Sequence, residues 1–395
     1  MLVKTPLKYE ELLKTILSQP SAPFREKHVI KVILDTLAKA KVPHFQDPVG
    51  NIVVGVSSKK DYLKLIKTSS KEPVRIFVAH MDHPGFHGVS WKSPSLLEFK
   101  WHGGSPTQHL EGAKVWLADQ NGWAGEGTMH DVTMHASGRA VESGMIKITQ
   151  TTREISEKQK ATDFYGGVSF RAPYWQEGDL LYTKAADDLV GAFATLSVAL
   201  DLFKKSKKHP FIALLTRAEE VGFIGAIGHF ELGWLKNPKR PLMCVSLETS
   251  RTLPGAEIGK GPVVRLGDKS TCFDTNGLEV FTQVAKEVLP ERHQRRVMDG
   301  GTCEGTAATV YGIPSIGISV PLGNYHNQSF EGGPDAAPPH GPAPEFVHMG
   351  DVAALIELCH ALMKPKLPWA KPWAKKLEGF KKELKRYTPL LRSGP

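Results

Sequence analysis

Cysteine is scarce: Cys244, Cys272, Cys303 and Cys359 are the four in 395 residues, and no two of them form a CxxC pair. That spacing excludes a disulfide framework and a cysteine-based zinc site, and the thiols read as free in a reducing compartment. No apolar run approaches the ~20 residues that span a bilayer. The first twenty residues, MLVKTPLKYEELLKTILSQP, mix Lys and Glu into their hydrophobics, so neither a transmembrane segment nor a signal-peptide core is expected. The expected location is cytoplasmic. Phosphate-loop chemistry is set aside because GGTCEG (Gly300–Gly305) lacks the Lys and the preceding strand it needs. There is no GxSxG elbow for a nucleophilic serine, no base that sequence can assign to Cys303, and no nucleic-acid module signature.

What is present is an ordinary globular composition, 41% apolar and 23% charged, in a chain longer than one hydrophobic core usually holds. The formal charge of +9 is local. From Met363 onward there are ten Lys or Arg against two Glu, which accounts for +8 and leaves the body nearly neutral. A basic balance of that kind argues for a basic tail rather than for nucleic acid as a partner.

Hydrophobic periodicity gives an α/β pattern. Residues 8–18 and 25–41 have helical spacing, as do 187–203, 224–232 and 277–288. Residues 51–56, 74–79, 211–216, 241–247 and 313–320 are short, nearly continuous apolar runs, the form of strands buried on both faces. The alternation predicts a mixed central sheet flanked by helices. The stretch from about Phe86 to Gly178 differs, with many glycines and short alternating segments, and reads as a small all-β domain inserted into the α/β frame. The expected organisation is therefore 1–86 plus 178–362 as one domain, 87–177 as an inserted β-barrel-like domain, and 363–395 as a basic tail. Residues 329–344 form a Pro/Gly-rich loop. In the tail, Trp373, Leu377, Phe380, Leu384 and Tyr387 share one helix stripe opposite lysines, which suits docking on the body, on a partner subunit or on a membrane surface.

Open α/β sheets collect their sites where strands end, and five such ends carry metal-ligand chemistry. RIFVAHMDHPG ends a strand at His80, with Asp82 two residues on, the pairing that orients an imidazole through its second nitrogen. TKAADDLVGAFA places Asp187 and Asp188 at a helix start, LLTRAEEVGFIGA places Glu219 and Glu220 past a buried strand, MCVSLETS ends a strand at Glu248, and SVPLGNYHN brings His326 after another. Each alone has a structural explanation, such as capping for the Asp pair. Together, on one predicted sheet, they point to a metal cage. His102, His109, His130 and His135 lack ligand-like spacing and read as ordinary polar residues of the β domain.

In this order HMD, ADD, EEVG…GA, the acidic strand end and the final His resemble the co-catalytic di-zinc exopeptidases. The long gap from Asp82 to Asp187, the stretch GGTCEGTAATVYGIPSIGIS and DPVGNIVV are similar to the M42 glutamyl aminopeptidase group, over about residues 8–362. The resemblance implies His80, Asp187 and Glu248 on one metal, with Asp187, Glu220 and His326 on the other and Asp187 bridging. It implies Glu219 as general base, Asp82 as the partner of His80, and a cis peptide bond after Asp187. Two divalent ions are expected, Zn²⁺ first and Co²⁺ or Mn²⁺ as alternatives. The implied activity is removal of N-terminal residues from peptides, and the implied state a homo-oligomer. The sequence departs from the motif at Glu248 (usually Asp), His83 (often Glu), Leu189 and Cys303, which stands at the Asp of GGTD. A carboxypeptidase, an amidase or deacylase of the same clan, and a catalytically silent scaffold are the alternatives.

Overall fold

The computed structural model describes residues 7–392 apart from 154, 156, 157 and 207. Residues 1–6 and 393–395, the outer ends of the expected first domain and tail, lie outside the described residues. Eight strands form the main sheet, in the order His44–Gln46, Ile52–Val54, Phe211–Thr216, Val74–His80, Leu242–Arg251, Ser315–Leu322, Val263–Asp268, Gln294–Met298. The four in the middle are parallel, so their C-terminal ends lie along one edge.

These central strands are largely apolar because both faces are covered; the buried Arg75 in Val74–His80 is met by Glu72 at 2.9 Å. In Val74–His80, Phe77 and Ala79 pack into the larger core cluster while Val74, Ile76 and Val78 pack into the smaller one. The larger core is closed by helices Glu10–Leu17, Lys27–Lys39, Leu189–Lys205, Thr275–Val288 and Met349–Leu362. Lys59–Lys67, Ile224–Glu231 and Glu304–Val310 cover the other face. Each fully buried Leu or Phe contributes about 1.5–3 kcal/mol on this accounting. The structure extends the strand expected at 241–247 to Arg251, which carries Glu248 inside the strand. Helix Leu189–Lys205 starts at Asp188, whose Oδ1 accepts from Gly191 N at 3.1 Å. A Cβ at Gly191 would meet that carboxylate at 2.2 Å, so the cap requires glycine there.

Between Gly85 and Val168 six strands close into an antiparallel barrel, filled by Phe86, Leu97, Phe99, Leu117 and Phe164. The chain enters the barrel five residues after His80. It returns through the hairpin Tyr174–Glu177 and Leu180–Thr183, which pairs with Glu345–His348 and leads to Asp187. The Pro/Gly-rich loop is braced to its surroundings. The Asn324 side-chain oxygen accepts from Phe330, Glu331 and Gly332 N, and Asp335 pairs with Arg171. The tail helix, Ala374–Arg392, buries none of its residues; at its start Trp373 Nε1 donates to Asn276 at 2.8 Å.

Among the described residues, no helix is long and apolar enough to cross a membrane.

Candidate active site

Parallel register brings the ends of the strands carrying His80 and Glu248 together, and short loops beyond two others carry Glu219, Glu220 and His326. The backbone there is tightly turned. Ala218, Phe223, Asn324, His326 and Asn327 have positive φ, and the Asp187–Asp188 bond is cis. Gly222 N and Phe223 N both donate to Glu219 O at 2.8 Å, closing the turn that points the Glu pair inward.

Asp187 lies between the two imidazoles. Its Oδ1 is 3.5 Å from His80 Nε2 and its Oδ2 is 3.7 Å from His326 Nε2. Glu220 Oε2 is 3.1 Å from the same His326 nitrogen, and Glu219 Oε2 is 3.7 Å from His80 Nε2. Ligand atoms of His80, Asp187 and Glu248 lie within 4.8 Å of one another, and so do those of Asp187, Glu220 and His326. The structure thus draws all five side chains to one place. Asp188 is turned away, capping its helix and accepting from Thr249 Oγ1 at 2.8 Å.

Asp82 lies beside His80 and also reaches the Glu pair. His80 Nδ1 faces the Asp82 backbone carbonyl at 3.1 Å, closer than the carboxylate at 3.6 Å. The carboxylate is occupied by Glu219 N at 3.0 Å and Glu220 N at 3.2 Å, so Asp82 ties the imidazole's loop to the Glu pair.

Several residues here escape sequence reasoning. Glu345 is fully buried, and its carboxylate accepts from Ala186 N (2.7 Å), Asp187 N (3.1 Å) and His326 N (2.9 Å). Glu26 accepts from Ala218 N at 3.0 Å and pairs with Arg217 at 2.8 Å. Glu304, also fully buried, accepts from Thr216 Oγ1 at 2.6 Å and comes within 4.8 Å of Glu219 and Glu248. His83 Nδ1 donates to Asp187 O at 2.7 Å. Glu304 had a signal, since it follows Cys303 inside the quoted motif; Glu345 and Glu26 had none. On the barrel, His130 bonds Glu111 and His135 bonds Ser137, ordinary contacts. The barrel loop closes on the site at Gly104, where a Cβ would stand 1.8 Å from His326 Nδ1.

Burial pushes the carboxyls of Glu219, Glu220 and Glu248 well above the usual range, and the acids around them add to it. Burial alone would lower His80, but the charge of Glu219 and bonds with Asp187 and Asp82 carry it well above 6.5. Burial holds His326 below its ordinary value. Asp187 Oδ1, Glu220 Oε1, Glu248 Oε1 and His326 Nε2 are buried without a hydrogen-bond partner among the described residues. Polar atoms are rarely left so, and two imidazoles among carboxylates are a donor set for Zn²⁺, Co²⁺ or Mn²⁺. The residues fit divalent cations.

The family model described as M42 glutamyl aminopeptidase matches residues 63–330. Among curated proteins no sequence match is found. Solved structures share the fold. A TET aminopeptidase from a Thaumarchaeota archaeon of marine sediment is 21% identical with a TM-score of 0.68, over 94% of this chain and 99% of that one. The Pyrococcus horikoshii TET1 peptidase, described as assembling into a tetrahedron or a large octahedral shell, is 20% identical with a TM-score of 0.66, over 90% and 99%. An M18-family aminopeptidase from Thermotoga maritima is 14% identical with a TM-score of 0.62, over 90% and 97%. With most of its length covered by that family model, the chain belongs to the M42 glutamyl aminopeptidase family and is a peptide hydrolase.

Proposed function

We propose that the protein is a metal-dependent aminopeptidase that removes N-terminal residues from peptides. His80, Asp187 and Glu248 would hold one divalent ion and Asp187, Glu220 and His326 a second, Zn²⁺ before Co²⁺ or Mn²⁺. The observation that carries this reading is Asp187, whose two oxygens face two different imidazoles at 3.5 and 3.7 Å. When bound, such ions polarise the scissile carbonyl and make water nucleophilic near neutral pH. Glu219 takes the proton of the attacking water and returns it to the leaving amine. Asp82 fixes the direction of Glu219 through the backbone N–H it accepts, and Glu345 holds the loops of Asp187 and His326 in register.

Residues 87–177 form an inserted unit on the peptidase frame of 1–86 plus 178–362, with 363–395 as a basic tail. The insertion departs between His80 and Asp187, so its position bears on substrate access. The TET relative described as a tetrahedral or octahedral shell supports a homo-oligomeric state, and the absence of a membrane-crossing helix among the described residues fits a cytoplasmic one.

Elemental analysis of the purified protein, combined with a chelation-sensitive panel of aminoacyl, N-acyl and C-terminal substrates, tests the reading. Glu219→Gln should keep its metal and lose roughly 10²–10⁴ in turnover. Full activity in that variant would remove Glu219 from the mechanism, and preference for N-acyl or C-terminal substrates would move the protein to another activity of the clan.

A further inference from the structure

The tail helix Ala374–Arg392 is fully formed and buries none of its residues. With about 3.6 residues per turn, Leu377, Phe380, Leu384, Tyr387 and Leu391 fall within an arc of about 80°, and all five are exposed. Trp373, just before the helix, begins the same stripe. Lys376 and Lys381 border it on its two sides, and Lys375, Lys382 and Arg386 lie opposite. Seven Lys or Arg against two Glu give the helix a net charge of +5, whereas residues 1–362 carry +1. Only the start of the helix is tied to the body. Trp373 Nε1 donates to Asn276 at 2.8 Å and Lys376 Nζ lies 3.6 Å from Glu279, both on helix Thr275–Val288. Beyond that turn the stripe and the basic face are open to solvent.

The chemistry of the two faces limits what covers them. The nearly neutral body has no field to draw in a helix of charge +5. A second copy laid stripe against stripe would bring lysine borders of like charge together. Nucleic acid would neutralise the lysines and leave the apolar stripe in water. An anionic lipid surface meets both faces at once. Acyl chains receive the apolar side chains, and phosphate headgroups receive the lysines, whose stems run along the stripe. Trp373 and Tyr387 have amphipathic rings of the kind that settle at the boundary between headgroups and acyl chains. The helix is about 28 Å long and too charged to cross a bilayer, so its place is in the plane of the surface.

We propose that helix Ala374–Arg392 docks the protein on an anionic membrane surface, with Leu377, Phe380, Leu384 and Leu391 entering the headgroup boundary and the basic face meeting lipid phosphates. The inference stands apart from the peptidase reading and adds a location to it. Neither half of the attraction suffices alone, as a single lipid chain anchors a protein stably only with a polybasic patch beside it. The electrostatic half weakens with salt, because the field of the lipid surface falls off within a Debye length.

Sedimentation of the full-length protein with vesicles provides the test. Vesicles of phosphatidylcholine alone are compared with vesicles in which about one lipid in three is phosphatidylglycerol, in about 0.1 M salt. The native protein should partition onto the anionic vesicles at least about tenfold more strongly, and about 0.5 M salt should remove most of the difference. Phe380→Ser with Leu384→Ser removes apolar contact and keeps every charge, while Lys381→Glu with Lys382→Glu reverses charge and keeps the stripe. Each pair should weaken partitioning onto anionic vesicles at least about tenfold. Phe380→Trp, which restores an aromatic ring at the same place, should keep it. Because these side chains are exposed, thermal midpoints should stay within about 2 °C of the native one. Equal partitioning onto both kinds of vesicle overturns the proposal. So does no partitioning at all, the result expected if the partner is an acidic protein. Partitioning that survives Phe380→Ser with Leu384→Ser also overturns it, since the face would then act by charge alone. A fall in mass by light scattering in that variant, or a larger drop in its thermal midpoint, would mean that a second copy or the body covers the stripe, and the proposal would fail.

Discussion

His87 shows how position rather than type sets what a histidine does. It sits where the barrel meets the N-terminal segment, with Nε2 2.8 Å from Pro23 O and its ring 4.3 Å from that of His102. Burial lowers it to about 4, with the positive charges of His102 and Arg25 adding to the effect. In the unfolded chain the same imidazole takes up its proton near pH 6.5. Between those values the unfolded state binds more protons, so stability falls as pH drops from about 6.5 towards 4 and levels off below. His83, also lowered to about 4 by burial, acts in the same direction. His87→Gln should therefore lose less stability than the native protein between pH 7 and pH 5, by up to about one proton's worth of slope. Urea unfolding of the metal-free proteins at the two pH values measures it, and equal losses would mean that His87 is not buried neutral. The residue scale is also where sequence reading stops. Glu345, Glu26 and Arg265 have no repeat or spacing to mark them; Glu345 acts on Asp187, 158 positions away, Glu26 on Ala218, 192 positions away, and two donors of Arg265 have no partner among the described residues.

At the scale of elements, more was legible. Ile76–Ala79, Phe211–Leu215 and the strand Ser315–Leu322 are nearly continuously apolar because both faces are covered, and a charge or imidazole at such a strand's end stands out. That contrast exposed His80, Glu219, Glu220, Glu248 and His326. Val263–Asp268 and its neighbour at the sheet edge, Gln294–Met298, are interrupted by Arg and escaped the same test, and the seven-residue helix Glu304–Val310 is too short for periodicity to register. The tail helix presents the opposite case: a regular apolar stripe that no core explains. Leu377 is 53%, Phe380 67% and Leu384 59% exposed, so the helix Ala374–Arg392 owes little to the body. By contrast, Leu367 and Trp369 just before it pack against the main core. Ending the chain after Trp373 should shift the thermal midpoint by less than about 2 °C, the range of surface changes. Ending it after Leu362 should lower it by several times as much. Differential scanning calorimetry distinguishes the two, and a large shift from the first truncation would place an unrecognised contact on the helix.

For the whole molecule, the central fact is an excess of buried negative charge that the chain does not balance with its own cations. Asp82, Asp187, Glu219, Glu220, Glu248, Glu304 and Glu345 are all drawn to one edge of the sheet, against Arg265 and the imidazoles of His80 and His326. Burial raises the proton affinities of Glu219, Glu220, Glu248, Glu304 and Glu345, and for all but Glu304 the acids crowded around them add to it. A divalent ion that binds the folded cage and not the open chain stabilises folding by mass action, about 2.7 kcal/mol at a hundredfold excess over Kd. For a chain of this length that is a shift of several degrees. Chelation should lower the thermal midpoint, and stoichiometric Zn²⁺ should restore it in the native protein but not in a His326→Ala, Glu220→Gln double variant. The near-neutral body makes the effect independent of the basic tail, so the truncated protein should respond equally. A midpoint unmoved by chelator and by added metal would mean that the acids are balanced by protons alone, and the cage would then have no claim to hold metal.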